Sequence, residues 1–195
     1  MNAQRGAMRQ FLLALFAVMA LSARPLLAVP IVSIQPNVSN PVAGSTFDVL
    51  VDISSVTDLY AFQFDIGFNP TVLSVVNVTE GAFLPAGGAT LFIPGAIDNT
   101  AGTISFTGDS LLGPVGVSGS GTLARIGFQA NALGTSTIGL SDVLLLDSNL
   151  SSIAFNSTNG RVDVGTATGV PEPATLALLG LGLAGLGFSR RRTLN

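Results

Sequence analysis

The chain contains no cysteine, no histidine, no tryptophan and no lysine, and only one tyrosine, Tyr60. Each absence removes a class of chemistry. Without cysteine and histidine there is no thiol nucleophile, no imidazole base and no zinc site of the usual kinds. Without lysine there is no Schiff base. A chain bound for an oxidising compartment often relies on disulfides, but a domain of this size can bury enough apolar surface without them. Carboxylates and hydroxyls are the side chains left for chemistry. Hydrolysis by a carboxylate pair needs one acid held in an apolar pocket that raises its pKa. Most of the acids here alternate with core-type residues and are expected to titrate normally, so the chain reads as a non-enzyme. Calcium would need clustered oxygen ligands. Asp142 and Asp147 flank an apolar run, and Asp147-Ser148-Asn149 places oxygens close together, but no D-x-[DN]-x-[DN]-G spacing is present, and a solvated turn is the expectation. No cofactor is implied.

The 195 residues leave room for one domain plus targeting segments. All eight basic residues are arginines, and they are unevenly placed. Arg5, Arg9, Arg24, Arg190, Arg191 and Arg192 lie in the two ends against Glu172 alone, whereas the middle carries Arg125 and Arg161 against ten acids. An acidic domain of this kind repels phosphate backbones, so nucleic acid is excluded as a partner. The hydrophobic content of 48% and mean hydropathy of +0.61 are high for a soluble chain. Much of that excess sits in the ends.

Residues 1–28 read as a signal peptide: Arg5 and Arg9 make a basic start, 11–21 is an apolar run, and small residues follow. Cleavage after Ala20-Leu21-Ser22 fits the small-x-small rule best, and Ala28 offers a later site; both stay open. At the other end, after a small-residue linker at 165–169, Pro171-Glu172-Pro173 is rigid and extended because each proline fixes its own φ and restricts the residue before it. Residues 174–188 carry no charge. As a helix they would be about 22 Å long, short of the roughly 30 Å hydrocarbon core. Arg190, Arg191 and Arg192 follow and hold the terminus on the cytoplasmic side. Topology alone also allows an ordinary single-span anchor, but a short, glycine-rich span favours a transient stop. The expected organisation is therefore a signal peptide at 1–28, a domain at 29–166 and a sorting tail at 167–195.

The tail VPEPATLALLGLGLAGLGFSRRR resembles the PEP-CTERM sorting signal of Gram-negative bacteria. That resemblance implies processing by an exosortase, a membrane-embedded transpeptidase-like enzyme that removes the tail during export. It also implies a transient inner-membrane intermediate and a destination at the cell surface or in the extracellular matrix, in the company of exopolysaccharide or biofilm. Pro171, Glu172 and Pro173 are then the sorting motif, and Arg190, Arg191 and Arg192 the topogenic charge.

Between the ends the pattern has period two. Strands are expected at 31–35, 46–53, 59–68, 72–78, 90–93, 103–107, 122–130, 136–140, 143–146, 153–155 and 161–164, with a loop at 81–88 and a mobile, glycine- and proline-rich connection at 109–121. In 59–68, Phe62, Phe64, Ile66 and Phe68 share one face; in 122–130, Leu123, Arg125, Gly127 and Gln129 are expected to face away from Ala124, Ile126 and Phe128. No helical periodicity interrupts the series. The fold class is all-β, an antiparallel sandwich of about nine strands. Four N-x-[ST] sequences, at Asn37, Asn77, Asn149 and Asn156, follow from a composition rich in Asn, Ser and Thr and are assigned no role.

The order of VAGSTFDV (42–49), AFQFDIGFNPTVL (61–73), GTLARIGF (121–128) and NGRVDV (159–164) resembles a cohesin domain, a nine-stranded jelly roll. Cohesins grip dockerins, small calcium-loaded helical domains, through one flat sheet face. The resemblance thus implies a dockerin-like protein partner and an interaction or matrix role. In cellulosomal members the strand before the Asn/Asp-Pro turn presents an Asn and an Asp; the matching positions here are Ala61 and Gln63. The alternative is a carbohydrate-binding module for exopolysaccharide. Such modules use flat Trp or Tyr platforms, and here the phenylalanines fall on expected core faces while Tyr60 reads as a strand-edge residue.

Overall fold

The computed structural model describes residues 28–166. The expected signal peptide and sorting tail, with Pro171, Glu172, Pro173, Arg190, Arg191 and Arg192, lie outside the described residues.

Ten strands form among the described residues: β1 Ile31–Pro36, β2 Thr46–Leu59, β3 Ala61–Gly67, β4 Leu73–Glu80, β5 Ala96–Asp98, β6 Thr103–Ser110, β7 Val117–Ala130, β8 Gly134–Leu146, β9 Asn156–Thr158 and β10 Gly160–Val164, with one 3₁₀ turn at Leu84–Gly87. They make two five-stranded sheets, β4-β7-β2-β1-β9 and β10-β8-β3-β6-β5. Only β1–β2 and β5–β6 are consecutive strands within one sheet; the other connections cross between sheets, as a jelly roll requires. All neighbours are antiparallel except β1 and β9.

Alternation explains the sandwich. Val49, Val51 and Ile53 on β2, and Phe62, Phe64 and Ile66 on β3, face inward and are buried, and Phe68 continues the β3 series. Burying those three phenylalanines and Ile66 contributes about 6–12 kcal/mol before conformational entropy is set against it. Phe128 joins the sheets, 6.0 Å from Phe47 in a stacked pair and 5.3 Å from Phe68 edge-on.

Several local expectations are corrected. The long second strand runs to Leu59 rather than stopping at 53, bending where Ser55 and Asp58 take positive φ (55° and 58°). Their amides donate to the hydroxyls of Ser120 and Ser118, and Asp58 Oδ1 accepts the Gly116 amide. Side chains thus replace ladder partners, and the connection expected at 109–121 shrinks to 111–116. The segments 136–140 and 143–146 form one strand, β8, kinked at Asp142 (φ 48°). Residues 90–93 make only isolated bridges, from Thr90 to Leu111 and from Ile93 to Gly108, and 153–155 is not a strand. Leu123 is buried rather than outward, because β7 carries one extra residue where Val51 pairs Ala124 and Asp52 pairs Thr122.

Candidate docking face

The outer face of the β10-β8-β3-β6-β5 sheet carries the feature that least resembles a solvated surface. A shallow groove of about 200 Å³ is bordered by Ala61 and Gln63 on β3, Phe106 on β6, Leu144 on β8, and Leu91 and Ile93. Leu91 and Phe106 are more than half exposed (59% and 53%), and Ile93 and Leu144 are exposed as well. Apolar residues gathered on one exposed patch mark an interaction surface more often than a resting one.

Two bulges create this patch. Opposite the centre of β3, β6 inserts an extra residue between the Phe64–Thr107 and Ile66–Ile104 pairs, and β8 inserts one between the Gln63–Leu144 and Asp65–Ser141 pairs. Each bulge holds a residue in the left-handed region, Phe106 at φ 60° and Asp142 at φ 48°. The Phe106 amide donates to Asp65 Oδ1 at 2.7 Å, which holds the bulge. Strict alternation would have sent Phe106 inward with Ile104. The bulge re-aims it to solvent, so the expectation that the phenylalanines occupy core faces fails at this residue. No local pattern in the sequence marks the flip.

Ala61 and Gln63 lie on the outer face, where the cohesin resemblance places them. Ala61 offers no side-chain hydrogen bond. The surroundings are acidic, with Asp65 and Asp142 near the bulges, and the groove lining carries no basic side chain.

Beneath the groove lies a residue that was expected in a mobile connection. Asp109 is only 4% exposed. Its Oδ1 accepts the Ser110 amide, and its Oδ2 has no partner among the described residues. Burial, followed by the facing Glu80 carboxylate, pushes its carboxyl up to about 7. Glu80 Oε1 in turn accepts the Thr90 hydroxyl.

The other acids are tied into turns. Asp147 Oδ1 accepts the amides of Asn149 and Ser151, and the Ser148 hydroxyl donates to Asp58 Oδ2 at 2.6 Å, so these oxygens close a turn. The Ser148 hydroxyl and the amides of Ser148 and Gly116 hold the Asp58 carboxyl below its usual range. Among the described residues no three acidic side chains cluster as a cation site would need. Tyr60, whose amide donates to Leu146 O between β2 and β3, is half-buried against the core.

The opposite sheet has a polar cleft of about 330 Å³, bordered by Asn37, Thr46, Asp48, Asn77 and Gly127. Asp48 there forms an ion pair with Arg125 at 2.8 Å.

Comparison with known proteins agrees with the two-sheet fold. The family model described as the cohesin domain matches residues 32–164, and that of the PEP-CTERM protein-sorting motif matches 169–192. Similar solved structures include a non-cellulosomal cohesin from Archaeoglobus fulgidus, 17% identical, covering 72% of this chain and 94% of that one with a TM-score of 0.59. The second type II cohesin module from the adaptor ScaA scaffoldin of Acetivibrio cellulolyticus is 17% identical, covering 76% of this chain and 100% of that one with a TM-score of 0.60. The sixth cohesin from scaffoldin B of that organism, solved in complex with a dockerin, is 19% identical, covering 71% and 100% with a TM-score of 0.58. No curated relative matches the chain. The two-sheet sandwich is thus a cohesin fold, and with a family match over more than half its length the chain belongs to the cohesin domain family and carries a PEP-CTERM sorting motif.

Proposed function

We propose that the protein is an exported, non-enzymatic interaction module that docks a dockerin-like helical partner through the outer face of the β10-β8-β3-β6-β5 sheet. One observation carries the reading: Leu91, Ile93, Phe106 and Leu144 are all exposed around one groove, and a bulge strains the backbone to put Phe106 there. An amphipathic helix that lays an apolar stripe into the groove and sets basic residues beside Asp65 and Asp142 matches its shape and charge. With Ala61 and Gln63 in place of hydrogen-bonding Asn and Asp, apolar contact carries the affinity. The partner therefore differs from a cellulosomal dockerin in what it offers at those positions.

The sorting motif supports the delivery route. Pro171, Glu172 and Pro173 are the element an exosortase reads, residues 174–188 the membrane stop, and Arg190, Arg191 and Arg192 the topogenic charge. The route starts with a signal peptide at 1–28, passes through the inner membrane, and ends at the cell surface or in the extracellular matrix of a Gram-negative bacterium. The domain at 29–166 is what arrives.

A photo-reactive amino acid at position 106 in intact producing cells tests the docking face. Capture of one protein with a predicted amphipathic helix, lost when Leu144 is changed to Asp, supports it; capture at position 129 on the opposite sheet with none at 106 refutes it. The second reading, exopolysaccharide binding, rests on the polar cleft, where Asn37, Thr46, Asp48 and Asn77 offer amide, hydroxyl and carboxylate groups to sugar hydroxyls. Co-sedimentation with the producing cell's own exopolysaccharide, lost in Asn77→Ala and kept in Leu144→Asp, would favour that reading.

A further inference from the structure

The groove is bordered on one side by a segment outside the strands, whose Phe92 packs against the core. Residues 90–93 belong to no strand. Backbone bonds tie them to β6, from Leu91 N–H to Ser110 O (2.8 Å) and between Ile93 and Gly108 (2.8 and 3.0 Å). A side-chain bond adds to these: the Thr90 hydroxyl donates to Glu80 Oε1 at the end of β4, in the other sheet. Glu80 faces Asp109, whose buried Oδ2 finds no donor in any neighbour. Two carboxylates in contact, one of them 96% out of water, cannot both be ionised without a cation.

Among the described residues no cation is at hand. β4 brings Glu80, β6 brings Asp109, the 90–93 segment brings the neutral Thr90, and β3 sets Phe62 opposite Asp109. Arg125 on β7 is committed to Asp48, and Arg161 on β10 to Asp163. What satisfies the pair is a proton, carried on Asp109 and donated to Glu80.

We propose that this single shared proton latches the 90–93 segment against β6, and that losing it above neutral pH frees Leu91 and Ile93 and dismantles the docking groove. The proton balance is simple: Asp109 gives it to solvent, the two carboxylates repel, Glu80 turns outward, and the Thr90 hydroxyl loses its acceptor. The carboxyl, held up to about 7 by burial and by Glu80, loses its proton within the pH range of ordinary surroundings. As a gate on binding, the latch rests on the docking reading above; as a property of the chain, it does not.

Hydrogen–deuterium exchange on the full-length chain in detergent, at about pH 5.5 and about pH 8.5 with intrinsic rates corrected, reads the latch directly. Protection of the Leu91 and Ile93 amides is expected to fall about tenfold at the higher pH, the change that goes with one lost hydrogen bond to a charged group, while β1 and β2 amides hold. Asp109→Asn and Glu80→Gln each supply an amide donor that no pH removes, so both are expected to keep the lower-pH protection throughout. Equal protection at both pH values in the unaltered chain overturns the latch, as does the same tenfold loss in both variants. These outcomes need no partner, so failure of docking at position 106 leaves them intact. A partner captured equally at both pH values overturns the gating while leaving the docking reading in place.

Discussion

At the scale of the residue, Asp109 sets how stability responds to pH. Its carboxyl holds a proton to about 7 in the folded chain and to about 4 in the unfolded one. Between those values the folded state binds more protons, so Asp109 stabilises the fold fully below about pH 4 and that contribution is lost as the pH rises to about 7. Asp58, Asp98 and Asp163 act in the opposite sense. Hydrogen bonds from Ser148 to Asp58, from the Ala101 and Thr100 amides to Asp98, and from Arg161 and Thr135 to Asp163 hold their carboxyls low, so their contribution is lost on acidification. Stability should therefore peak between about pH 4 and 6 and decline toward pH 8, by on the order of 2–4 kcal/mol from Asp109. Urea unfolding of the full chain at pH 5 and pH 8 checks this, and in Asp109→Asn the decline should vanish. A curve that keeps rising to pH 8 would show that Asp109 ionises freely. None of this was legible in the sequence, where Asp109 opens the glycine- and proline-rich 109–121 stretch. Its burial follows from the pairing of β6 with β3, where it stands opposite Phe62, and no local pattern encodes that.

At the scale of the element, what could be read and what could not divide along one line. Strands with uninterrupted alternation were legible to within a residue or two: the expected 31–35 and 59–68 appear as Ile31–Pro36 and Ala61–Gly67, because each buries one continuous face, whereas the expected 122–130 begins five residues earlier, at Val117, beyond its bulge. Bulges were not, because an extra residue leaves the composition of a strand unchanged while inverting everything beyond it. Leu123 and Phe106 are the two visible costs, one drawn into the core and the other pushed out of it. The candidate face depends on the second. Phe106 at φ 60° is a bulky residue in a region that glycine occupies freely, with strain of about 1–3 kcal/mol. Since its ring is more than half exposed, little packing is lost by removing it. Phe106→Gly is therefore expected to leave the thermal midpoint unchanged or raise it by a few degrees while abolishing partner capture by a photo-reactive residue placed at Gln63, which also borders the groove. A midpoint lowered by about 5 °C or more would mean that the ring is a packing residue and the face is incidental.

At the scale of the whole molecule, the division of charge and of hydropathy separates freight from address. The middle of the chain carries ten acids, two arginines and a self-sufficient core; the ends carry six arginines and the chain's longest uncharged apolar stretches. The described sandwich closes at Val164, with Gly165 still bridged to Val42, so Pro171 lies only about six residues beyond the last sheet contact. Fully extended at about 3.3 Å per residue, a spacer of that length would reach roughly 20 Å, which on the proposed route would keep the domain clear of the headgroups. On the proposed route Pro171, Glu172 and Pro173 are what an exosortase would read at the outer surface, and Arg190, Arg191 and Arg192 are the charge that would oppose further movement. Two consequences can be measured together. Intact mass spectrometry of the surface or released form should find a C-terminus at or before Pro173, without Arg190, Arg191 and Arg192. Replacing Pro171, Glu172 and Pro173 with alanines should leave a longer, membrane-bound form in the inner-membrane fraction. If the unaltered protein still ends at Asn195 at its destination, or the alanine variant arrives there in equal amount, the tail is an anchor rather than an address, and the domain works tethered to the membrane.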